Sequence, residues 1–376
     1  MNDRPIYFDG FADPALCREL LARLRREIAE TDDGRLRFME VCGTHTVAIF
    51  RSGLRSLLPE GVEHLSGPGC PVCVTHEREI AACTAMAKKE GVLIATFGDL
   101  LRVPGSGGDS LQQAKADGAE IEVVYSPLDA LNLARQRRDR TVVFLGVGFE
   151  TTAPTVAATV QMARQRDMEN FTVLTMHKLV PPALEALLAQ DEVDVDAFLL
   201  PGHVSTVLGI RPYAFIADRH AKPGVVGGFE PADILQSLLL MIEMRKMRQP
   251  AIINQYRRAV DDGGNPRARG ILFDVFAPTD AVWRGIGVIP QSGLAMREEY
   301  ASFDARCRYD LCLPDTPDIK GCQCGAVLKG RIAPNQCALF GTACTPANPV
   351  GPCMVSTEGS CAAYFTYHPA GRLPAR

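Results

Sequence analysis

The stretch TVVFLGVGFETTAPTVAATVQMARQR, residues 141–166, contains the unit from which the fold can be predicted. Residues 142–146 are an apolar, β-branched run with the length of a buried strand. GVGFETTAP, residues 146–154, is a turn-rich break, and residues 155–166 are an Ala-rich stretch typical of a helix. A strand, a turn at its carboxyl end and a crossover helix together form the repeating unit of a parallel α/β fold.

The same unit recurs along the first 230 residues. Eight apolar runs predict strands, and eight strands suggest two parallel sheets of four. The predicted strands are residues 36–41, 62–65, 92–96, 121–125, 142–146, 172–176, 195–200 and 225–227. The predicted crossover helices are residues 77–90, 128–138, 155–166 and 182–190.

We therefore predict an α/β fold with two Rossmann-like domains, whose parallel four-stranded sheets face a cleft, and a third, mainly helical or irregular domain. The first domain covers residues 33–128 and the second covers residues 129–230. After that point the pattern changes to a Leu- and Met-rich helical stretch and a Cys-rich tail, so residues 231–376 are assigned to the third domain together with residues 1–32. Residues 14–30 predict a helix with an apolar stripe, and the sequence does not identify the domain on which it packs.

The composition excludes several classes of protein. The 376 residues are 47% hydrophobic and 22% charged, and 40 basic against 44 acidic residues give a net charge of −4. No general basic field is available for nucleic acid or a membrane surface, so we predict neither as a partner. The longest apolar run, residues 234–244, is shorter than the ~20 residues that span a bilayer. The start, MNDRPIYFDG, lacks the features of a secretory signal, which predicts a cytoplasmic protein.

Six loops follow predicted strands, and Cys, His, Thr and Glu recur in this set beside Gly and Pro residues. Ligands bind at the carboxyl edge of open parallel sheets, so loops from two facing sheets could line one cleft. For any single loop the alternative is that Gly and Pro are present because a tight turn requires them. The six loops are CGTHT (42–46), SGPGCPVC (66–73), FGDLLRVPGS (97–106), GVGFETTAP (146–154), MHKLVPP (176–182) and PGHVSTVLG (201–209).

Thirteen cysteines are the unusual feature of the composition. Structural disulfides rarely persist in the cytoplasm, so these thiols indicate a metal or a redox function. Six of them lie between Cys322 and Cys361 without the paired C-x2-C motif that is usual for zinc. Six unevenly spaced thiols fit an iron–sulfur cluster held by four, with two left over as a reducible pair. Zinc and inert thiols remain alternatives, and the spacing does not identify the four ligands.

Two further thiol motifs follow predicted strands. Cys70 and Cys73 form a C-x2-C at a strand-to-helix turn, where a helix N-terminus lowers the pKa of a thiol. This position suits a dithiol/disulfide couple, although half of a metal site has the same pattern. Cys42 in VCGTHT has Gly43 beside it and His45 three residues further on. It could ligate a metal with open positions, act as a nucleophile or be a buried loop cysteine.

As a set, these motifs resemble the HypD family of hydrogenase maturation (formation) proteins. The resemblance implies a scaffold, in complex with the chaperone HypC, on which the Fe(CN)2CO fragment of the [NiFe]-hydrogenase active site is assembled. It also implies that HypE, working with HypF, supplies cyanide, and that the hydrogenase large subunit is served indirectly. The motifs that carry it, in order, are CGTHT at 42–46, GPGCPVCVT at 67–75, GFETTAP at 148–154, PGHVS at 201–205 and the tail pattern CxC…C…C…GPCMVSxEGxC.

The resemblance implies roles for individual thiols. Cys42 would bind the transient Fe(II) that carries cyanide and carbon monoxide, and Cys70 and Cys73 would be an exchangeable dithiol beside it. A further likeness to ferredoxin:thioredoxin reductase, in which a cluster adjoins a reducible disulfide, assigns Cys324 and Cys353 to a redox pair. The third domain is then the iron–sulfur domain, and the ligands of its [4Fe-4S] cluster would be Cys322, Cys337, Cys344 and Cys361.

Three polar side chains complete the predicted site. His45 and His203, from loops of the two α/β domains, could each orient a ligand or supply a proton, or be a satisfied structural group. Glu358 could gate a proton near the cluster or cap a helix. Glu150 and Thr151 are assigned to the turn and to a contact between domains. The alternative function is a [4Fe-4S]-dependent thiol:disulfide oxidoreductase acting on a protein substrate, in which Cys42 would be incidental.

Overall fold

A computed structural model describes residues 10–367, apart from residues 106, 191–192, 314–315 and 317–318. Residues 1–9, in which we looked for a secretory signal, lie outside the described residues. Within the described ranges the chain is an α/β protein with two parallel sheets and an antiparallel hairpin, so the predicted fold class is confirmed at this level. No helix in these ranges has the length and apolar character that a bilayer crossing requires.

The strands form a five-stranded sheet of order β2-β1-β7-β8-β9, a four-stranded sheet of order β4-β3-β5-β6, and the hairpin β10-β11. Both larger sheets are parallel throughout. In chain order the strands are β1 Leu36–Glu40, β2 Val62–Ser66, β3 Val92–Thr96, β4 Glu120–Val123, β5 Thr141–Gly146, β6 Phe171–Thr175, β7 Ala197–Pro201, β8 Gly224–Gly227, β9 Ile252–Asn254, β10 Phe276–Trp283 and β11 Gly287–Met296.

The helices mostly follow the strands as crossovers. In chain order they are α1 Pro14–Ala29, α2 Gly43–Arg51, α3 Leu54–Leu57, α4 Pro71–Val74, α5 Glu77–Ala87, α6 Gly98–Leu101, α7 Leu111–Ala116, α8 Pro127–Gln136, α9 Ala153–Gln165, α10 Val180–Leu188, α11 Gly202–Leu208, α12 Ala214–Asp218, α13 Pro231–Met247, α14 Pro266–Val275, α15 Ala305–Arg308, α16 Cys324–Leu328, α17 Pro352–Val355 and α18 Ser360–Tyr367.

The eight predicted strands are present as β1 to β8, with ends that differ from the prediction by at most two residues. The apolar runs locate them well because helices cover both faces of a parallel sheet. A central strand is then buried at every position and has a continuous apolar sequence. In β3 and β6, for example, all five residues are buried.

The assignment of strands to sheets differs from the predicted domain boundaries. The boundary between residues 128 and 129 would separate β3 and β4 from β5 and β6, yet these four strands pair in one sheet. In chain order, β1 and β2 belong to the five-stranded sheet, β3 to β6 form the whole four-stranded sheet, and β7, β8 and β9 complete the five-stranded sheet. One sheet therefore has five strands rather than four. Periodicity locates strands but not their pairing, because several strands offer similar apolar faces to a neighbour.

The amino-terminal helix α1 packs against α13, which follows β8. Asp13 caps α1 by accepting a hydrogen bond from the Ala15 amide (2.8 Å). The buried face contains Leu20, Leu24 and Ile28, as the apolar stripe predicts. The helix thus covers the five-stranded sheet.

The hairpin β10-β11 lies in the part of the chain that we predicted to be mainly helical or irregular. Its tip is anchored by Trp283, which is fully buried and donates a hydrogen bond from Nε1 to Ser292 Oγ (2.8 Å). At the turn, Gly285 packs directly against Gly325 in α16 with no room for a side chain on either. On the other side the Arg284 amide donates to the Val74 carbonyl in α4 (3.0 Å). The hairpin tip therefore joins the C-x2-C helix to the Cys-rich tail.

Candidate functional site

A pocket of about 510 Å³ is lined by residues at the carboxyl ends of both parallel sheets. Five of the six predicted loops contribute to its wall: 42–46, 66–73, 97–106, 146–154 and 201–209. The sixth, residues 176–182, does not, because it pairs with the hairpin instead. There the Leu179 amide donates to the Ser292 carbonyl (2.8 Å), and Lys178 forms a β-bridge with Gly293. The prediction of one common cleft is correct for the other five.

Cys42 lies in the wall of this pocket at the start of α2, immediately after β1. Its side chain is buried, and its backbone amide donates to Glu40 Oε2 (2.9 Å). Burial, with a further contribution from the charge of Glu358, raises the pKa of the Cys42 thiol to about 12. The thiol is therefore protonated at neutral pH, and binding of a cation is what would favour its thiolate form.

Glu40 is a site residue that sequence reasoning missed, because it was counted within a strand. Its carboxylate is fully buried and accepts hydrogen bonds from the Cys42 amide and from Thr46 Oγ1 (2.6 Å). Burial raises its pKa to about 8. These two bonds fix the backbone of the CGTHT loop on both sides of the cysteine. The available signal was an acidic residue at the end of a mainly apolar strand, two positions before Cys42.

Glu358 reaches this pocket from the far end of the chain. Thr44 Oγ1 donates to Glu358 Oε1 (2.8 Å), and the backbone of Glu358 packs so closely on Gly43 that a β-carbon at Gly43 would overlap it. Burial raises the pKa of the Glu358 carboxyl. We predicted a role for this carboxyl near the cluster, whereas the structure places it in the wall of the Cys42 pocket.

The two predicted histidines occupy different positions. His203 is in the pocket wall, and burial lowers its pKa. His45 is fully buried and is not among the lining residues. Its Nε2 donates to the Gly228 carbonyl (3.0 Å), and burial lowers its pKa to about 4. Both rings contact Phe229, with centroid distances of 4.5 Å for His45 and 4.1 Å for His203. The structure therefore brings only His203 to the pocket.

Cys70 and Cys73 are joined by a disulfide across the first turn of α4, and both are buried. Their loop packs on that of Cys42: the Gly43 amide donates to the Gly69 carbonyl (2.9 Å), and a β-carbon at Gly69 would collide with the Cys42 backbone. Glycine is therefore required at position 69. The disulfide lies just behind the pocket wall, to which its neighbours Pro71 and Val72 contribute.

The GFETT loop divides between the pocket and the protein interior. Thr151 lines the pocket, whereas Glu150 is buried and accepts a hydrogen bond from the Val180 amide at the start of α10 (2.9 Å). Burial raises the pKa of Glu150 to about 8. Glu150 thus connects the loop after β5 to the next crossover helix.

The six tail cysteines converge on a second, small apolar pocket. Cys324 Sγ and Cys353 Sγ are 2.7 Å apart, and both residues are buried. Neighbouring Cys324 and then Cys361 raise the pKa of the Cys353 thiol well above its usual range. The six cysteines lining this pocket are Cys322, Cys324, Cys337, Cys344, Cys353 and Cys361.

The donor set of this pocket can be compared with the needs of a single ion and of an iron–sulfur cluster. Among the described residues no three His, Cys, Asp or Glu side chains are grouped to hold one metal ion. A multi-iron cluster has a different requirement, because its thiolates bind separate irons within an apolar shell. The remaining walls of the pocket are mainly apolar and include Val327, Leu339, Phe340 and Met354. The residues present fit such a cluster by their chemistry.

The two thiol sites are adjacent. Helix α17, which carries Cys353, packs against α4, which carries Cys73. Cys70, Cys73, Cys324 and Cys353 belong to one continuous apolar core together with Trp283 at the hairpin tip. The fold thus places two thiol pairs on neighbouring helices, close to the loop that carries Cys42.

These features define a class: an α/β protein with a thiol-containing pocket at the carboxyl ends of two parallel sheets and a Cys-rich tail packed behind it. A family model described as "HypD: Hydrogenase formation hypA family" matches residues 15–368. The chain belongs to this HypD family of hydrogenase maturation factors, which confirms the resemblance seen in the sequence motifs.

Three relatives show how far the similarity extends. The chain is 46% identical over 365 residues to "Hydrogenase maturation factor HypD" of Rhodobacter capsulatus, covering 95% of this chain and 97% of the relative. It is 45% identical over 365 residues to the protein of that name from Escherichia coli, covering 96% and 98%. It is 43% identical over 369 residues to "Hydrogenase maturation factor HypD2" of Bradyrhizobium diazoefficiens, covering 96% of each.

Proposed function

We propose that this protein is a redox-active scaffold on which an Fe(CN)2CO unit is assembled for [NiFe]-hydrogenase, with Cys42 as an iron ligand. The observation that carries this proposal is the position of Cys42, in the wall of a pocket formed by both sheets and by Glu358 from the tail. The proposal includes the chaperone HypC as partner and HypE, with HypF, as the source of cyanide. It also places the protein in the cytoplasm, where its many thiols remain reduced.

The chemistry of the pocket suits an iron cargo with diatomic ligands. A soft thiolate anchors iron(II) and leaves the other coordination positions open to cyanide and carbon monoxide. Apolar side chains such as Val41, Leu145 and Phe149 form much of the wall and limit access of water. Glu358 and His203 are two of the titratable side chains in the wall, and either could hold or deliver a proton there.

The tail thiols would supply reducing equivalents. Cys322, Cys337, Cys344 and Cys361 would hold a [4Fe-4S] cluster, which provides electrons one at a time. The 2.7 Å approach of Cys324 Sγ and Cys353 Sγ supports their assignment as the redox pair. Exchange between this dithiol and the Cys70–Cys73 disulfide would form the Cys324–Cys353 disulfide and leave Cys70 and Cys73 as thiols. Two electrons and two protons pass in this step, and the contact between α17 and α4 favours it.

The decisive experiment uses the full chain purified without oxygen together with its HypC partner. We expect the inorganic sulfide of one [4Fe-4S] cluster and one iron more than that cluster contains. We also expect infrared bands of iron-bound cyanide and carbon monoxide. A colourless preparation without sulfide, or a brown one that never shows these bands when all maturation partners are supplied, contradicts the proposal.

Serine substitutions at Cys70 and Cys73 separate the two thiol sites. We expect each variant to keep its brown cluster, which absorbs near ~400 nm through thiolate-to-iron charge transfer, and to lose the cyanide and carbon monoxide bands. The reason is that neither residue lines the tail pocket, whereas their loop packs on the Cys42 loop through Gly69. Loss of cluster iron from either variant would show that these thiols are cluster ligands. It would refute the assignment of separate roles to the Cys70–Cys73 pair and the tail thiols.

The second candidate function is a [4Fe-4S]-dependent thiol:disulfide oxidoreductase acting on a protein substrate. The observation in its favour is the proximity of the Cys70–Cys73 disulfide to the Cys324 and Cys353 thiols. Cys42 would have no part in such a reaction, and its substitution therefore distinguishes the two functions.

A further inference from the structure

The turn formed by residues 356–359 joins the two sides of the Cys42 pocket. On the side of the four-stranded sheet, Asp99 lies in the first turn of α6, directly after β3. One atom, Asp99 Oδ2, accepts hydrogen bonds from Ser356 Oγ (3.0 Å), the Thr357 amide (3.1 Å) and Thr357 Oγ1 (3.3 Å). On the side of the five-stranded sheet, Glu358 accepts the hydrogen bond from Thr44.

The turn is too short for its two ends to move independently. The Gly359 amide donates to the Ser356 carbonyl (2.9 Å), and the Glu358 amide donates to Ser356 Oγ (3.3 Å). Gly359 also packs so closely on the Cys353 backbone that a side chain there would collide with it. The position of Ser356 and Thr357 therefore determines where Glu358 lies.

Electrostatics alone would not hold Glu358 in this place. Its carboxyl is partly buried, and the carboxyl group of Asp99 is close enough to interact with it unfavourably. Like charges and loss of hydration both favour a conformation in which this side chain points into water. Bonds from its own turn to a fixed acceptor oppose that movement.

We propose that Asp99 is a positioning residue for the Cys42 site. It holds the turn 356–359 so that Glu358 remains beside Cys42, and it acts through Glu358 rather than on the cargo. This inference rests on the proposed function of the pocket and adds a residue from the opposite sheet to it. The Cys42 site is then complete only when the tail is docked on both sheets.

The test compares Asp99→Ala with Asp99→Asn in the full chain purified anaerobically with its partner. Because all three bonds go to one oxygen, the amide oxygen of asparagine can keep them, whereas alanine cannot. By hydrogen exchange, we expect the Thr357 amide to exchange about tenfold faster in the alanine variant and about as in the parent in the asparagine variant. Asp117→Ala is the matched control, since Asp117 is on the same half of the chain and its carboxylate accepts a local hydrogen bond from Gln113 (2.9 Å).

The second measurement is the fraction of protein that carries the cyanide and carbon monoxide bands. We expect about a tenfold smaller fraction in Asp99→Ala, near-parental values in Asp99→Asn, and no further loss when Asp99→Ala is added to Glu358→Gln. Equal defects in the alanine and asparagine variants, or an additional loss in the double variant, would overturn the proposal. If Asp99→Ala does not fold, Ser356→Ala tests the same bond from the other side. Absence of the bands from the parent would refute the function, while hydrogen exchange would still report on the turn.

Discussion

The Cys42→Ala variant is expected to show no infrared bands of iron-bound cyanide or carbon monoxide, while its cluster absorbance and its fold remain as in the parent. The reason is that the thiol is the soft ligand in the pocket wall, and no other cysteine lines that pocket among the described residues. The cluster is unaffected because the thiols of the tail pocket are a separate set. The measurement is the infrared spectrum of the anaerobic complex, with iron and sulfide analysis of the same sample.

Cys83→Ala is the matched control for this experiment. Cys83 is also buried, but it lies in the core of the four-stranded sheet, where its thiol is 3.5 Å from the sulfur of Met176. We expect this variant to keep the bands. If Cys42→Ala also keeps them, the iron is held elsewhere. If it loses them but still turns over disulfides of a protein substrate, both activities reside in one chain, with Cys42 needed only for assembly.

The largest expected effect on stability is that of Glu77→Ala. Glu77, at the start of α5, forms an ion pair with Arg284 at the hairpin tip, and their side chains are only 2% and 4% exposed. Arg284 Nε also donates to the Thr75 carbonyl (2.9 Å). Removal of one member of a buried ion pair takes away the partner that offsets the desolvation of the other, which costs about 3–5 kcal/mol of unfolding free energy. Denaturant unfolding of the anaerobic protein measures this loss.

Two comparisons identify the cause of that loss. Asp32→Ala breaks the Asp32–Arg248 pair, whose side chains are 89% and 83% exposed, and such an exposed pair should have almost no effect. The double variant Glu77→Gln with Arg284→Met removes both charges and should recover much of the stability. If the double variant is as unstable as Glu77→Ala, the loss arises from packing at the hairpin tip rather than from the buried charge.

Much of the fold could be predicted from the sequence because its elements are local. The strands β1 to β8 were found from mainly apolar runs of three to six residues, and α1 from its stripe. The hairpin β10-β11 was missed because neither strand has a regular apolar alternation, and Pro278 and Pro290 interrupt them. Its Trp283 is buried through contacts with α4 and the tail, which lie far away in the sequence.

The candidate site was predicted where one loop carries its own signal. Cys42 was selected because it stands beside glycine at a strand end, and Cys70 and Cys73 because they form a C-x2-C at a strand-to-helix turn. Glu40 and Asp99 were missed because each is a single acidic residue whose importance depends on what it contacts. Glu358 was selected for its place between two cysteines and was expected near the cluster, whereas it contacts Thr44 across the fold.

By itself, the sequence determined the α/β class, the positions of the parallel strands, the turns with functional side chains and the family. These properties follow from side-chain periodicity and motifs within a few residues of one another. Only the tertiary structure decided that β1 and β2 join β7 to β9 in one sheet, although the strands of the other sheet lie between them in the sequence, and that the tail contributes Glu358 to the Cys42 pocket. The physical reason is that pairing and docking depend on apolar and polar contacts summed over surfaces from distant parts of the chain, which no short stretch encodes.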